Sequence, residues 1–354
     1  MTFLRIPKVP VIVSVLLTLF TMASGFSKFK IDVHTHAVPT LYREALVDAG
    51  YSATNHSNVF VDGFRTPEFD IKTYISEREE HGYNFSVLSI TAPGVSFLHG
   101  SYRAKELARQ LNLEMDGYRK AYPKQIGAFG VLPLPDIQSS LDEITYCLDQ
   151  LKFEGIGLYT NYDGVYLGDA SLDPILEELD RRGCPVLVHP TNPPTSPNLT
   201  GVSLPVIEYP FDTTRAITNL LWVQARKKFP NIKLIFSHGG GALPFLADRL
   251  GIQTTLPFHG GRDLNESMAE LRSYYFDTAV VVGNAQIAAL KEFVGADKIV
   301  TGSDYPYLPR AMVPRGLDAF SNFEGFTPEE KLKIDYKNAL DLFPTLTDKF
   351  PELN

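Results

Sequence analysis

Beyond residue 28, short runs of Val, Ile, Leu and Phe alternate with longer stretches whose apolar residues recur every three or four positions. A short apolar run bounded by turn residues reads as a buried strand, and the wider spacing reads as an amphipathic helix. These patterns predict strands over 29–34, 85–90, 126–131, 155–158, 185–189, 233–238, 274–278 and 298–302. They predict helices over 68–82, 102–121, 138–151, 172–182, 212–229 and 284–294. Eight strands separated by helices point to the α/β class and to a (β/α)8 TIM barrel rather than an open sheet. No repeat or low-complexity linker interrupts the pattern, so one domain is expected over 27–354. The connections 37–67 and 190–211, the second rich in proline, exceed ordinary barrel loops and are expected to cover one mouth of the barrel.

The first 26 residues follow a different pattern. Arg5 and Lys8 precede an apolar run from Val9 to Ala23, and Ser24 and Gly25 follow. Charge, apolar core and small residues in that order describe a secretory signal peptide. The run is short for a membrane span, so an uncleaved anchor or a buried helix are the alternatives. Entry into the secretory pathway would make glycosylation candidates of Asn55, Asn84, Asn198 and Asn265, each followed two residues later by Ser or Thr.

Composition narrows the chemistry. A net charge of -8 lacks the basic face that nucleic acid requires. The two cysteines, Cys147 and Cys184, both in apolar surroundings, read as small core residues, which disfavours thiolate-bound zinc.

The chemistry sits at the strand ends. Lys28-Phe-Lys-Ile-Asp-Val-His34-Thr-His36 places two histidines two residues apart, on one face of a strand. Imidazole ligates zinc and similar ions, although a lone pair of this kind is equally two polar residues in a loop. Three further predicted strands end in ligand-type residues: His189 after strand five, His238 after strand six and Asp304 after strand eight. In a barrel these positions gather at the C-terminal face, where active sites are built.

At these residues the chain resembles the metal-dependent amidohydrolase superfamily, and within it the branch typified by aminocarboxymuconate-semialdehyde decarboxylase. The resemblance spans about 29–345 and rests on Asp32-Val-His34-Thr-His36, Val188-His189-Pro190, Ser237-His238-Gly-Gly-Gly241 and Gly302-Ser303-Asp304-Tyr305-Pro306. The segment Asp212-Thr-Thr is similar to an acidic helix start of that branch.

The resemblance implies a barrel of the metal-dependent hydrolase type. One divalent ion, zinc with manganese as the alternative, would be held by His34, His36, His189 and Asp304 without an organic cofactor. His238 and Asp304 would handle protons, Arg249 would bind a substrate carboxylate across a homodimer interface, and Arg65 would be a second carboxylate contact. The implied activity is non-oxidative decarboxylation of a small ortho-hydroxybenzoate-type acid, with 6-methylsalicylate, giving 3-methylphenol and CO2, as the expected case. A metal hydrolase such as a lactonase, or a non-catalytic metal-binding protein, would use the same ligands. Two departures matter. Strand four ends Gly155-Ile-Gly-Leu-Tyr159 without a lysine, which disfavours a carboxylated-lysine two-metal site. Gly241 stands where dihydroxybenzoate decarboxylases of the branch carry glutamate, and His34 where they have glutamate before x-His, which disfavours dihydroxybenzoate.

Overall fold

All eight predicted strands form, and their order in space is their order along the chain. The computed structural model describes residues 29–53, 58–197, 199–308 and 310–353. Its barrel strands are β1 Ile31–Ala37, β2 Phe85–Ile90, β3 Ile126–Gly130, β4 Gly155–Tyr159, β5 Pro185–His189, β6 Lys233–Phe236, β7 Tyr275–Asp277 and β8 Ile299–Val300. Every neighbouring pair is parallel. The ring closes between β8 and β1, where Val33 N–H donates to Thr301 O at 2.9 Å and His36 N–H to Tyr305 O at 2.7 Å. The result is a (β/α)8 TIM barrel.

The surrounding helices follow from spacing and caps. Tyr102–Ala121 buries Ala104, Leu107, Ala108, Leu111 and Met115, one apolar stripe, and starts at Ser101, whose Oγ accepts from Ala104 N–H. Asp70 and Asp136 cap the helices Ile71–Glu80 and Ile137–Thr145 in the same way. The helix expected over 212–229 starts earlier, at Glu208, and splits into Glu208–Trp222 and Ala225–Lys228, because Gln224 adopts a left-handed φ of 55°. Between β6 and β7 lie two helices without a sequence prediction, Leu243–Thr254 and Leu264–Arg272.

The two ends of the barrel differ. At the N-terminal end, Val33, Val87, Phe129, Leu187, Ile235 and Val300 pack against Leu342, Phe343, Leu346 and Phe350 from the chain's C-terminal segment. Phe350 meets Phe85, the first residue of β2, at a ring distance of 5.7 Å. Each such buried side chain contributes about 1.5–3 kcal/mol, and together they plug this end. At the other end the long connections fold over the mouth. Phe60–Val61 and Phe64–Arg65 make a hairpin across Asp62 and Gly63, both with positive φ, as a type I′ turn demands. Asp62 ties this hairpin to the second connection, its backbone O accepting from Leu204 N–H at 3.1 Å and its carboxylate from Tyr209 O–H at 2.9 Å.

The expected N-terminal leader, with Asn55 and Asn198, lies outside the described residues. Asn84 and Asn265 are exposed. Among the described residues no helix is long and apolar enough to cross a membrane.

Candidate metal centre and active site

The five strand-end residues converge at the open mouth. Between Asp32 and Thr35 the pairing of β1 with β2 slips by one residue, a bulge of the kind that re-aims side chains beside active sites. His34 and His36 then bring their Nε2 atoms to 3.0 Å. Asp304 has a left-handed φ of 57° and its N–H donates to His34 O at 2.9 Å. Its Oδ1 lies 3.4 Å from His34 Nε2 and 3.3 Å from His36 Nε2. The His189 ring stands edge-on to both, with centroids 5.1 and 4.8 Å away. His238 Nε2 is 3.6 Å from Asp304 Oδ2. Ligand atoms of His34, His189, His238 and Asp304 all lie within 4.8 Å of one another. Geometry therefore gathers all five residues, with His36 and His238 competing for one place in a four-ligand set.

Hydrogen bonds separate the histidines. His34 Nδ1–H donates to Asp277 Oδ2 at 2.7 Å, and His189 Nδ1–H to Pro190 O at 2.7 Å. Ser89 Oγ gives its proton to Thr35 O, so its oxygen accepts from His36 Nδ1–H at 2.9 Å. Each of these three rings thus turns its Nε2 toward the centre. Among the described residues nothing bonds the Nδ1 of His238, whose backbone N–H instead donates to Asp277 Oδ1 at 2.9 Å.

The charges fit a cation. Burial pushes His36 down to about 4, helped by the charge on His34, and burial with the neighbouring imidazoles pushes His189 far below its usual value. Burial would also lower His34, but the Asp277 and Asp304 carboxylates carry it up to about 10. Burial would raise Asp304, yet bonds from His238, His34 and His36 hold it well below the usual carboxylate range. With His34 deprotonated, three neutral imidazoles around an ionised carboxylate form the nitrogen–oxygen donor set that zinc and manganese accept. Uptake of an ion would require His34 to release its proton.

Above the cluster opens a cavity of about 380 Å³. His189, His238 and Asp304 line its polar part; Val61, Phe64, Val206, Tyr209, Val280 and Tyr307 supply apolar and aromatic wall. Both long connections contribute to that wall. Of the aromatic residues beside the sequence motifs, Tyr307 lines the cavity, whereas Tyr305 packs on Tyr74 with rings 4.6 Å apart and Phe211 is an exposed surface residue. Phe64 and Tyr209 join Tyr307 in the wall. The Gly-rich turn after β6 contributes little to that wall. Only Gly241 reaches the cavity; a Cβ on Gly239 or Gly240 would meet Val281 at 3.0 Å or Phe276 at 2.8 Å, so core packing explains these two.

The arginines stay outside. Arg65 follows Phe64 in the hairpin, so its side chain takes the opposite face; it lies 3.9 Å from Glu68 and is 55% exposed. Arg249 is exposed on the Leu243–Thr254 helix, and among the described residues it has no ion pair, Asp248 included. No Lys or Arg among the described residues lines the cavity.

Two carboxylates support the cluster without having been expected as site residues: Asp277 lies in none of the motifs, and Asp32 opens the first motif but carried no assigned role. Asp277 ends β7 fully buried and holds both His34 and the backbone of His238. The only sequence signal was an acidic residue near the end of a predicted strand. Asp32 Oδ1 accepts from His34 N–H at 3.1 Å and Ser303 N–H at 3.0 Å, and Oδ2 from Ser303 O–H at 2.6 Å, which locks β1 to the Asp304 turn. Burial pushes this carboxyl up to about 7.

A TIM barrel with histidines and an aspartate clustered at its C-terminal mouth defines a metal-centred barrel protein. The family model described as Amidohydrolase matches residues 31–345, and the chain belongs to that family. The 6-methylsalicylic acid decarboxylase of Penicillium expansum is 35% identical over 323 residues, 90% of this chain and 97% of the relative. The 2-amino-3-carboxymuconate-6-semialdehyde decarboxylase of Dictyostelium discoideum is 27% identical over 335 residues, 89% of this chain and 92% of the relative. The crystal structure of 5-carboxyvanillate decarboxylase from Novosphingobium aromaticivorans, complexed with manganese and 4-hydroxy-3-methoxy-5-nitrobenzoic acid, matches with a TM-score of 0.76 at 21% identity. That match covers 90% of this chain and 96% of the other, and at this identity it is a likeness of fold.

Proposed function

We propose that this protein is a metal-dependent carboxy-lyase that removes CO2 from a small aromatic acid with a hydroxyl ortho to the carboxylate. The leading substrate is 6-methylsalicylate, converted to 3-methylphenol. The observation that carries the reading is an imidazole–carboxylate cluster at the floor of an apolar cavity, with one histidine, His238, left without an orienting Nδ1 partner among the described residues. The similarity to the Penicillium enzyme along nearly the whole chain supports it.

We assign His34, His36, His189 and Asp304 as ligands of one divalent ion, zinc first and manganese second. The Nδ1 bonds of the three histidines favour this set over one containing His238. Bound there, the ion would draw electrons from the carboxylate and adjacent hydroxyl of the substrate. The apolar walls orient the ring, with Phe64, Tyr209 and Tyr307 placed against its faces and edges. His238 Nε2 delivers a proton to the ring carbon that bears the carboxylate. The bond from that carbon to the carboxylate then breaks, CO2 leaves, and the bonding pair restores the aromatic ring. Asp304 Oδ2, 3.6 Å from His238 Nε2, keeps the imidazole facing the substrate.

The absence of a cation from the cavity lining, among the described residues, supports a homodimer in which Arg249 of one copy meets the carboxylate in the other. Phe245, 89% exposed, lies one helical turn before Arg249, where such an interface would cover it. The leader pattern over 1–26 supports entry into the secretory pathway. The reading is tested by incubating metal-loaded protein with hydroxybenzoic acids and lactones and following products by mass. Release of CO2 from ortho-hydroxy acids supports it; opened lactones with all acids intact overturn it.

A further inference from the structure

We propose that Asp277 is the positioning residue of this centre: one carboxylate fixes the metal-binding tautomer of His34 and anchors the turn that carries His238. The inference rests on the metal-centre reading above. Three N–H groups point at Asp277 from two sides. His34 Nδ1–H approaches Oδ2 at 2.7 Å, while the backbone N–H groups of His238 and Ala279 approach Oδ1 at 2.9 and 3.0 Å. The carboxylate and the His34 ring are both fully buried, so no water competes for these bonds. A carboxylate offers an acceptor on each side, which satisfies all three donors.

An amide cannot do so. Asparagine has one acceptor oxygen and one NH2 group. Backbone N–H groups keep their protons, so the oxygen of Asp277→Asn must face His238 and Ala279. The NH2 group then faces His34 Nδ1 and demands a lone pair there. That pushes the proton of the neutral ring onto Nε2 and blocks the atom that turns toward Asp304. His238 adopts a left-handed φ of 57°, which a non-glycine residue holds only when its surroundings fix it. The Asp277 bond to its N–H is one such restraint. The asparagine variant preserves this restraint and breaks the ligand side; Asp277→Ala breaks both.

The test uses full-length protein and zinc itself, measured by competition with a chelator. Loss of a carboxylate behind a ligand histidine weakens metal binding about 10–100-fold, and that loss is expected in Asp277→Asn. At saturating zinc the asparagine variant should regain most of its turnover, while Asp277→Ala should not. Wild-type zinc affinity in a folded Asp277→Asn protein overturns the proposal. A second measurement needs no variant. In zinc-loaded, histidine-labelled wild-type protein, His34 should show an Nδ1 proton shifted downfield by its bond to carboxylate; a proton on Nε2 and none on Nδ1 overturns the proposal. If wild-type protein binds no zinc or manganese, the metal-centre reading itself fails.

Discussion

Replacing Gly241 by alanine adds one methyl group at a place where neither backbone nor space accepts it. Gly241 has φ 65° and ψ -122°, a conformation essentially restricted to glycine, and holding another residue there costs about 1–3 kcal/mol. The new Cβ would sit 2.0 Å from Pro210 O and 2.9 Å from Pro210 Cα. That carbonyl is pinned, since Thr214 Oγ1–H donates to it at 2.9 Å and Thr214 Oγ1 accepts from Ala242 N–H at 3.0 Å. Relief therefore means moving the start of the Glu208–Trp222 helix, and overpacking of this kind costs a further 1–3 kcal/mol or so. The total of about 4 kcal/mol is a large part of a typical folding stability. Urea unfolding should show a lowered midpoint at unchanged slope. Because Tyr209 and Pro210 line the cavity, KM for the aromatic acid should rise as well. A variant within about 0.5 kcal/mol of wild type, with unchanged KM, refutes the reasoning. Glutamate carries the same Cβ, so Gly241→Glu should fail equally.

Two histidine variants should separate metal binding from proton transfer. Elemental analysis of His189→Ala should show most of the metal lost. His238→Ala should keep its metal and lose turnover by roughly a hundredfold or more; loss of metal in that variant would make His238 a ligand in place of His36. Inactive Arg249→Ala and His238→Ala proteins, mixed under conditions of subunit exchange, should regain activity, because one hybrid site then has both its arginine and its acid. No recovery after demonstrated exchange would make each barrel self-sufficient.

Much of the site could be read before the fold was known, and the reason is local. β2 and β5 appear in the sequence at their observed bounds because both are apolar runs buried along nearly their whole length. His34, His36, His189, His238 and Asp304 could be assembled because a parallel barrel brings the ends of its strands to one rim. What escaped depends on direction rather than position. Tyr305 and Tyr307 follow Asp304 by one and three residues, yet only the more distant Tyr307 turns into the cavity. Arg65 and Phe64 are neighbours in a two-residue strand too short to show which of them faces in. Asp277 ends a strand of only three residues and belongs to no spaced motif; its role exists only through contacts with β1 and the β6 turn. The Leu243–Thr254 helix was hidden by the glycines and Pro244 at its start, where proline is compatible with a first helical turn.

The most direct test of the account is a reaction of metal-loaded protein with 6-methylsalicylate in heavy water, followed by mass and NMR. The account predicts CO2 and 3-methylphenol carrying deuterium at the ring carbon that lost its carboxylate, with the reaction abolished by chelation. Intact acid under those conditions, or product without deuterium at that carbon, would contradict it.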